Sequence, residues 1–460
     1  MSILTTLKEQ LTKEPLLSAS HIVVAYSGGV DSQVLLHGIN QLKQDLQRDF
    51  ILSAIHIHHG LSQHADQWQS HCQQECDSLG VNFLTEKVFV KSTPRQSLEA
   101  QAREARYNKL FELAPSGSCV LLGQHQDDQL ETFLLQLKRG AGPKGLSAMA
   151  RTSETKSGQE SNSKSQKSVI FHRPLLDMSR KDILGYAGSH KLNWCEDESN
   201  LNIEFERNFL RRDVLPIMLQ RWPELASTVS RSAMLCSQQQ TLLEESCEEK
   251  LAEIEASDKS LYIPKLQELS QAWMHQVVRY WLAKKSIQSP SLAVLNLLNS
   301  DVFDADEDAN PVLQWQNWQF RRFNKQLFVM TKPSPKLEFS ILWQGEKQID
   351  MPNQLGSLLF SESSNSDHQL DSGVRFDPRK GPITIRTGGY SVKFKPTGSL
   401  HSKPVKQWFK EWKVAPWLRG SVVLIIQNDV VLSLFCEGKW QHSEQANNTP
   451  DSMVILHIQS

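Results

Sequence analysis

Six consecutive residues, Ser27-Gly28-Gly29-Val30-Asp31-Ser32, have the side-chain types needed to hold a polyanion. The glycines carry nothing that would keep a phosphate away from the backbone, and the two serine hydroxyls add donors. Their setting points the same way. Ile22, Val23, Val24 and Ala25 read as a strand buried on both faces, and Val34, Leu35, Ile39 and Leu42 recur at helical spacing. A loop between a strand end and a helix start aims free N–H groups and the positive end of the helix dipole at an anion. Asp31 would repel a bare phosphate, so it implies either bound Mg2+ or a helix cap. Two glycines alone would mean a tight turn capped by Asp or Ser; the full string after a buried strand favours phosphate. The order is not that of a GxxxxGK[ST] loop, and GAGPKGLS at residues 140–147 does not have that order either.

A second group of carboxylates stands in GQHQDDQLET, residues 123–132. Asp127, Asp128 and Glu131 fall at an expected helix start, where they suit the dipole, and Asp128 and Glu131 share a face. Carboxylates at a strand end can hold Mg2+ or accept a proton. Arg103, Arg106 and Tyr107 lie in a helix expected over 97–113 and capped by Ser97; by themselves they read as a solvated basic face. In ERNFLRRDVLP, residues 206–216, Arg207 and Arg211 are four apart, with Asn208 and Arg212 beside them. That spacing suits a phosphate clamp or a salt-bridged surface helix equally. His56, His58 and His59 end the strand that starts at Ile51. His58 and His59 point to opposite faces of a strand, so contact with a nucleotide or RNA fits them better than a shared metal.

These groups require a scaffold. Strands near 22–25, 51–57, 82–90, 118–123 and 169–171 alternate with helices, which predicts a doubly wound parallel sheet with ligands at its C-terminal edge. Residues 151–168 are polar, of low complexity and expected to be mobile. Ser179 caps a helix expected to run through His190. One or two long helices follow over 222–250, and residues 244–258 carry seven acidic side chains against one lysine, so that face should not meet RNA. Trp273 and Tyr280 are expected in a core, 301–308 as an acidic loop, and 314–331 as strands with Arg321 and Arg322 between them. Residues 361–373 read as a polar linker. Residues 371–420 hold eleven Lys/Arg and three Asp/Glu. There a helix capped by Ser402, with Pro404 in its first turn, would bury Val405, Trp408, Phe409 and Trp412. It would present Lys403, Lys406, Lys410 and Lys413 to RNA phosphates. A hairpin should turn at Asn428-Asp429.

At about 150 residues per domain, 460 residues predict roughly three domains. Fifty basic against 51 acidic residues leave no global basic signature, so any nucleic-acid surface is local. Seven scattered cysteines without a CxxC pair read as reduced thiols rather than disulfides or zinc ligands. With no apolar run near the ~20 residues of a membrane span and no signal-peptide core, a cytoplasmic protein without membrane contact is expected.

SGGVDS, HIHHGL, AREARY, GQHQDDQLET, RPLL, DESN and RNFLR occur in this order across residues 20–215. The series resembles the tRNA(Ile)-lysidine synthetases, N-type ATP pyrophosphatases of the PP-loop kind; RTGG and VAPWLR resemble the C-terminal domain of the longer members. SGGVDS alone is shared with GMP synthetases, NAD synthetases and tRNA thiolases. The resemblance implies an α/β fold: a Rossmann-like catalytic domain over 1–217, a mostly helical linker and substrate-binding domain over 218–335, and a basic α+β tRNA-binding domain over 371–460. It also implies a reaction. ATP, with Mg2+, adenylates carbon 2 of the wobble cytidine in the CAU anticodon of a minor isoleucine tRNA. The ε-amine of free lysine then displaces AMP, and the tRNA changes identity from Met to Ile. Asp31, Asp128, Glu131, Arg103 and Arg207 become the expected catalytic residues, Ser27 to Ser32 the ATP site, and Asp31 and Asp128 the expected Mg2+ ligands. His59, Arg106, Tyr107, Asn208, Arg211, Arg386, Lys403, Lys406 and Lys410 become the expected substrate contacts. The family commonly has Asn where His58 stands and Arg where Ser62 stands; the second change removes a charge. Two alternatives remain at this point. Another ATP pyrophosphatase, of thiolase or GMP-synthetase type, would need paired cysteines or ammonia delivery. A tRNA-binding protein without catalysis would not need the intact loop and carboxylates. A homodimer is left open.

Overall fold

The computed structural model describes residues 2–46, 48–58, 60, 64–88, 98–156, 167–196, 204–306, 309–332, 338–353, 355–362, 373–436, 438–447 and 453–458. They form two compact units, Met1–Glu245 and Ser246–Ser460.

The first unit begins with α1 (Ile3–Leu11), β1 (His21–Ala25), α2 (Val30–Asp45), β2 (Ile51–His58), α3 (Ala65–Leu79), β3 (Asn82–Lys87) and α4 (Leu98–Leu113). It continues through β4 (Cys119–Leu121), α5 (Gln126–Lys138), α6 (Pro143–Leu146), β5 (Thr152–Lys156), β6 (Ser168–His172) and α7 (Arg180–Ser189). The sheet order is β3-β2-β1-β4-β6-β5, parallel throughout except for β5. The chain runs outward from β1 to β3 and then crosses back to β4, so the order reverses between β1 and β4, where open α/β sheets bind ligands. Successive residues of β1 serve opposite layers. Ile22 and Val24 pack with Leu35 and Ile39 of α2, Cys72 of α3 and Ile183 of α7, whereas Val23 packs with Ile55, Leu110 of α4 and Phe171. This two-sided burial is why the strand reads as a continuous apolar run.

The structure corrects the reading of 151–168 as a wholly mobile insertion. Thr152–Lys156 pairs antiparallel with Ser168–His172, Thr152 opposite His172 and Lys156 opposite Ser168. An edge strand needs backbone partners more than apolar side chains, so its polar composition hid it. Residues 157–166 lie outside the described residues. After α7 come α8 (Glu206–Phe209), a π-helical turn at Leu210–Val214, α9 (Leu215–Arg221) and α10 (Leu225–Ile254). Leu130, Leu215 and Ala226 form a small core there.

In the second unit, helices Ile263–Gln267, Gln271–Lys284 and Leu292–Asn296 share a core with a four-stranded antiparallel sheet. Trp281 is fully buried, whereas Trp273 and Tyr280, expected in the core, sit at its margin. Lys250 lies over the Trp273 ring at 4.7 Å, and the Tyr280 hydroxyl bonds Glu248. Arg321 and Arg322 lie inside the strand Trp318–Phe323, and the turn is Asn324-Lys325, both at positive φ. Asp301 lies in a π-helical turn, Leu298–Phe303, rather than in a loop. The C-terminal part is built on a five-stranded and a four-stranded sheet with one helix, Val405–Glu411. Ser402 does not cap that helix. Lys403–Pro404 pairs as a strand with Lys393–Phe394, and the N–H groups of Val405 and Lys406 donate to the carbonyls of Val392 and Tyr390, which serve in place of a side-chain cap. The hairpin turns at Asn428 and Asp429, with φ of 49° and 64°, as expected.

Candidate active site

The loop from Ser27 to Gly29 joins β1 to α2. Gly28 has φ +85°, and a Cβ there would sit 2.9 Å from Cys72 Sγ and 3.9 Å from Cys195 Sγ, so no side chain fits. The Gly28 carbonyl accepts from the Cys195 N–H at 2.9 Å. Gly29 is the N-cap of α2, and a Cβ there would meet nothing closer than Ser27 Oγ at 3.5 Å. Of the two serine hydroxyls, that of Ser32 is engaged within the loop. Its Oγ donates to the Gly29 carbonyl at 2.9 Å and accepts from the Ser27 N–H at 3.2 Å, so it ties the loop. Gly123, just past β4, brings two elements together: its Cβ would fall 3.1 Å from the carbonyl carbon of Asp31.

A cavity of about 630 Å3 opens at the C-terminal ends of β1, β2 and β4. Ser27 and Gly29 to Ser32 form one wall; Ile55, Ile57, Leu110, Leu122 and Trp68 give apolar surface; Arg106, Arg180, Arg211 and Asp128 add charge. This mix of apolar wall and a few convergent polar groups, at this volume, suits a nucleotide-sized ligand.

The carboxylates meet around His125, the N-cap of α5. Its Nδ1 accepts from the Asp127 N–H at 3.3 Å, and the His125 backbone N–H donates to Asp128 Oδ2 at 3.0 Å. Its Nε2 lies 3.6 Å from both Asp31 Oδ1 and Asp128 Oδ2. Burial pushes the Asp31 carboxyl above the usual range, with Asp128 adding to it, against the pull of His125, Arg180 and Arg211. Burial pushes Asp128 up as well, but His125, Arg207, the His125 N–H and Arg211 outweigh it and hold Asp128 below the usual range. Asp31 is therefore the more readily protonated of the two and Asp128 the more readily ionised. Glu131 is 1% exposed and accepts from Arg207 Nε at 2.6 Å and Arg211 Nε at 2.7 Å. Arg211 Nη2 also donates to Asp128 Oδ1 at 3.2 Å.

Residues 3–218 match a model of the PP-loop domain, 261–328 one of the TilS substrate binding domain, and 383–455 one of the TilS substrate C-terminal domain. A tRNA(Ile)-lysidine synthase of Serratia proteamaculans (strain 568) is 38% identical over 413 residues, 90% of each chain. One of Vibrio cholerae serotype O1 (strain ATCC 39541 / Classical Ogawa 395 / O395) is 37% identical over 435 residues, 94% of each. The chain belongs to the tRNA(Ile)-lysidine synthase family. With membership comes the class, a ligase with an ATP-binding PP-loop domain acting in tRNA modification.

Within this lysidine synthase scaffold the sequence candidates divide. Asp31, Asp128, Arg106 and Arg211 line the cavity with the loop; Glu131, Arg103, Arg207, Tyr107 and Asn208 do not. Arg207, read as either a phosphate clamp or a salt-bridge partner, bonds Glu131, Thr132 Oγ1 and the Asp128 carbonyl. Arg103 stacks over the Tyr107 ring at 5.3 Å. Burial pushes the Tyr107 phenol up, but Arg103 and Arg173 outweigh it and set it below its ordinary value. His58 lines the cavity, its Nε2 3.2 Å from Asp66 Oδ1. His59 and Ser62 lie outside the described residues.

His125, Gly123, Arg180 and Trp68 were not among the sequence candidates. Arg180 had a signal, since it directly follows the capping Ser179 and so starts a helix. Arg173 was visible only inside RPLL; its guanidinium donates to Gln124 Oε1, the Ala150 carbonyl and the Tyr107 hydroxyl. In the second unit Arg386 lies with its guanidinium against Gly389, and Lys406 and Lys410 are exposed. Lys403 is held by Glu411 and lies over the Trp408 ring at 4.9 Å. No disulfide joins the described cysteines, and no helix among the described residues is long and apolar enough to cross a membrane.

Proposed function

We propose that the chain joins the ε-amine of free lysine to carbon 2 of the wobble cytidine in a CAU-anticodon isoleucine tRNA, with ATP cleaved to AMP and pyrophosphate. The observation that carries this reading is the convergence, in one nucleotide-sized cavity, of the SGGVDS loop with two carboxyls of opposite protonation preference. The loop N–H groups and the N-terminus of α2 receive the pyrophosphate end of ATP. The cytidine carbonyl oxygen attacks the α-phosphate and pyrophosphate leaves. The lysine amine then attacks carbon 2, AMP leaves, and ionised Asp128 takes the amine proton. Arg106 and Arg211, on the cavity wall, receive the AMP phosphate. Glu131 serves as a positioning residue that anchors Arg211 beside Asp128.

Asp31 and Asp128 are the residues that would hold Mg2+. The buried Asp31 Oδ1 has no hydrogen-bond partner, and an ion that takes one or two carboxylates plus substrate phosphates fits that pair. When bound, it would offset phosphate charge. Among the described residues no cluster of three or more His, Cys, Asp or Glu forms a metal site. In the second unit, Arg386, Lys406 and Lys410 are the proposed tRNA contacts.

The test is incubation with ATP, Mg2+, labelled lysine and unmodified CAU-anticodon isoleucine tRNA. Lysine should enter the RNA in a linkage that survives mild alkali, and uridine at the wobble position should abolish incorporation. ATP cleavage with sulfide or ammonia consumed in place of lysine would overturn this reading in favour of another PP-loop activity.

A further inference from the structure

The group at the centre of the carboxylates does not line the cavity. His125 is 1% exposed, and its ring is oriented from one side: Nδ1 takes the free N–H of Asp127 at the first turn of α5. With Nδ1 accepting there, the ring's N–H is on Nε2. That N–H faces Asp31 Oδ1 and Asp128 Oδ2, each 3.6 Å away. Both Nε2 and Asp31 Oδ1 are buried and lack a hydrogen-bond partner. Buried polar atoms are nearly always paired, so two orphans facing one another mark a contact left open in this state. A contraction of a few tenths of an ångström would bring Nε2–H into hydrogen-bond range of either carboxylate.

We infer that His125 is a positioning residue. Its Nε2–H stands 3.6 Å from both Asp31 Oδ1 and Asp128 Oδ2 and goes to whichever of those oxygens is not engaged by substrate or ion. The inference rests on the reaction proposed above. It assigns His125 no contact with ATP, lysine or RNA; it acts through the two aspartates.

The two roles of the ring can be separated, because each is copied by a different amide. His125→Asn keeps an acceptor close to the backbone, where the N-cap needs it, and loses the distal N–H. His125→Gln reaches as far as Nε2 with an N–H but places no acceptor at the cap. If the ring only caps α5, Asn should be active and Gln impaired. If it positions the aspartates, His125→Asn should melt close to the unaltered protein yet lose roughly ten- to hundredfold in kcat, the scale of a hydrogen bond to a charged group. KM for ATP should change less than twofold, since the ring does not line the cavity. His125→Gln should melt lower and recover most of kcat. The assay is lysine incorporation with the full-length chain, with the unaltered protein run alongside. Failure of the unaltered protein to incorporate lysine would remove the reaction itself. Normal incorporation by it, with kcat retained in His125→Asn or with Asn more active than Gln, would overturn the positioning role alone.

Discussion

Gly28→Ala is the substitution whose effect the structure resolves into parts. The new methyl would stand 2.9 Å from Cys72 Sγ on a backbone at φ +85°. Left-handed backbone costs a non-glycine residue about 1–2 kcal/mol, and an extra carbon in a packed interior costs about 1–3 kcal/mol. The loop relieves both by leaving the geometry that receives phosphate. ATP affinity should therefore fall by about 2–5 kcal/mol, at least roughly thirtyfold at the lower bound. Cys72 is fully buried in the helix layer and does not line the cavity, so Cys72→Ala alone should bind ATP within about twofold. In the double variant the steric part disappears and the backbone part stays, leaving a loss of about 1–2 kcal/mol, roughly five- to thirtyfold. Titration calorimetry with ATP on the four proteins measures the coupling directly, and it should be about 1–3 kcal/mol in favour of the pair. Additivity within about 0.5 kcal/mol, or a Gly28→Ala protein that binds ATP normally, would refute the close contact as the reason for glycine.

Asp31 and Asp128 should have opposite effects on stability. A carboxyl raised by burial binds its proton more tightly folded than unfolded, so it lowers stability as pH rises from about 4 through its folded pKa. Asp31→Asn should therefore melt higher at pH 7, with the gain fading as pH falls toward about 4. A depressed carboxyl contributes stability above its unfolded pKa and loses it as pH falls through the folded one, so Asp128→Asn should melt lower at pH 7; calorimetry at both pH values checks the pair. On the basic helix, reversing the exposed Lys406 and Lys410 should flatten the salt dependence of tRNA binding by about 0.7–0.9 log units per lost phosphate contact. Reversing Lys403 should instead lower the melting temperature through its lost contacts with Glu411 and Trp408, with the slope unchanged.

What was legible in the sequence follows local rules. The loop was visible because glycines between an apolar run and a 3.6-residue period have few meanings, and the parallel sheet because its central strands are apolar on both faces. β5 was not visible, since an edge strand is specified by its neighbour's backbone. Ser402 looked like a cap because serine before a helix usually is one, yet the carbonyls of Tyr390 and Val392, in the turn that precedes the strand Lys393–Phe394, took that role. Arg207 and Arg211 were legible as a pair of cations at helical spacing, but whether they grip phosphate or carboxylate depends on Glu131, 76 and 80 residues away. His125 gave no signal of its own, because its significance comes from α2 arriving on its far side.

The arginine pair also imposes an order of assembly in time. Ser27 to Asp31 leave the ribosome early, but Arg211, which helps hold Asp128 ionised, is 180 residues further along (211 − 31). At synthesis rates of about 5–20 residues per second, Asp31 exists for roughly 9–36 s before that guanidinium does. The nascent chain has its phosphate loop from the start of that interval; Glu131 follows 100 residues later, and for the last 80 residues, roughly 4–16 s, Asp128 and Glu131 stand without Arg211. Nucleotide occupancy of the growing polypeptide should therefore rise in two stages, the second only after the turn at Leu210–Val214 has been made.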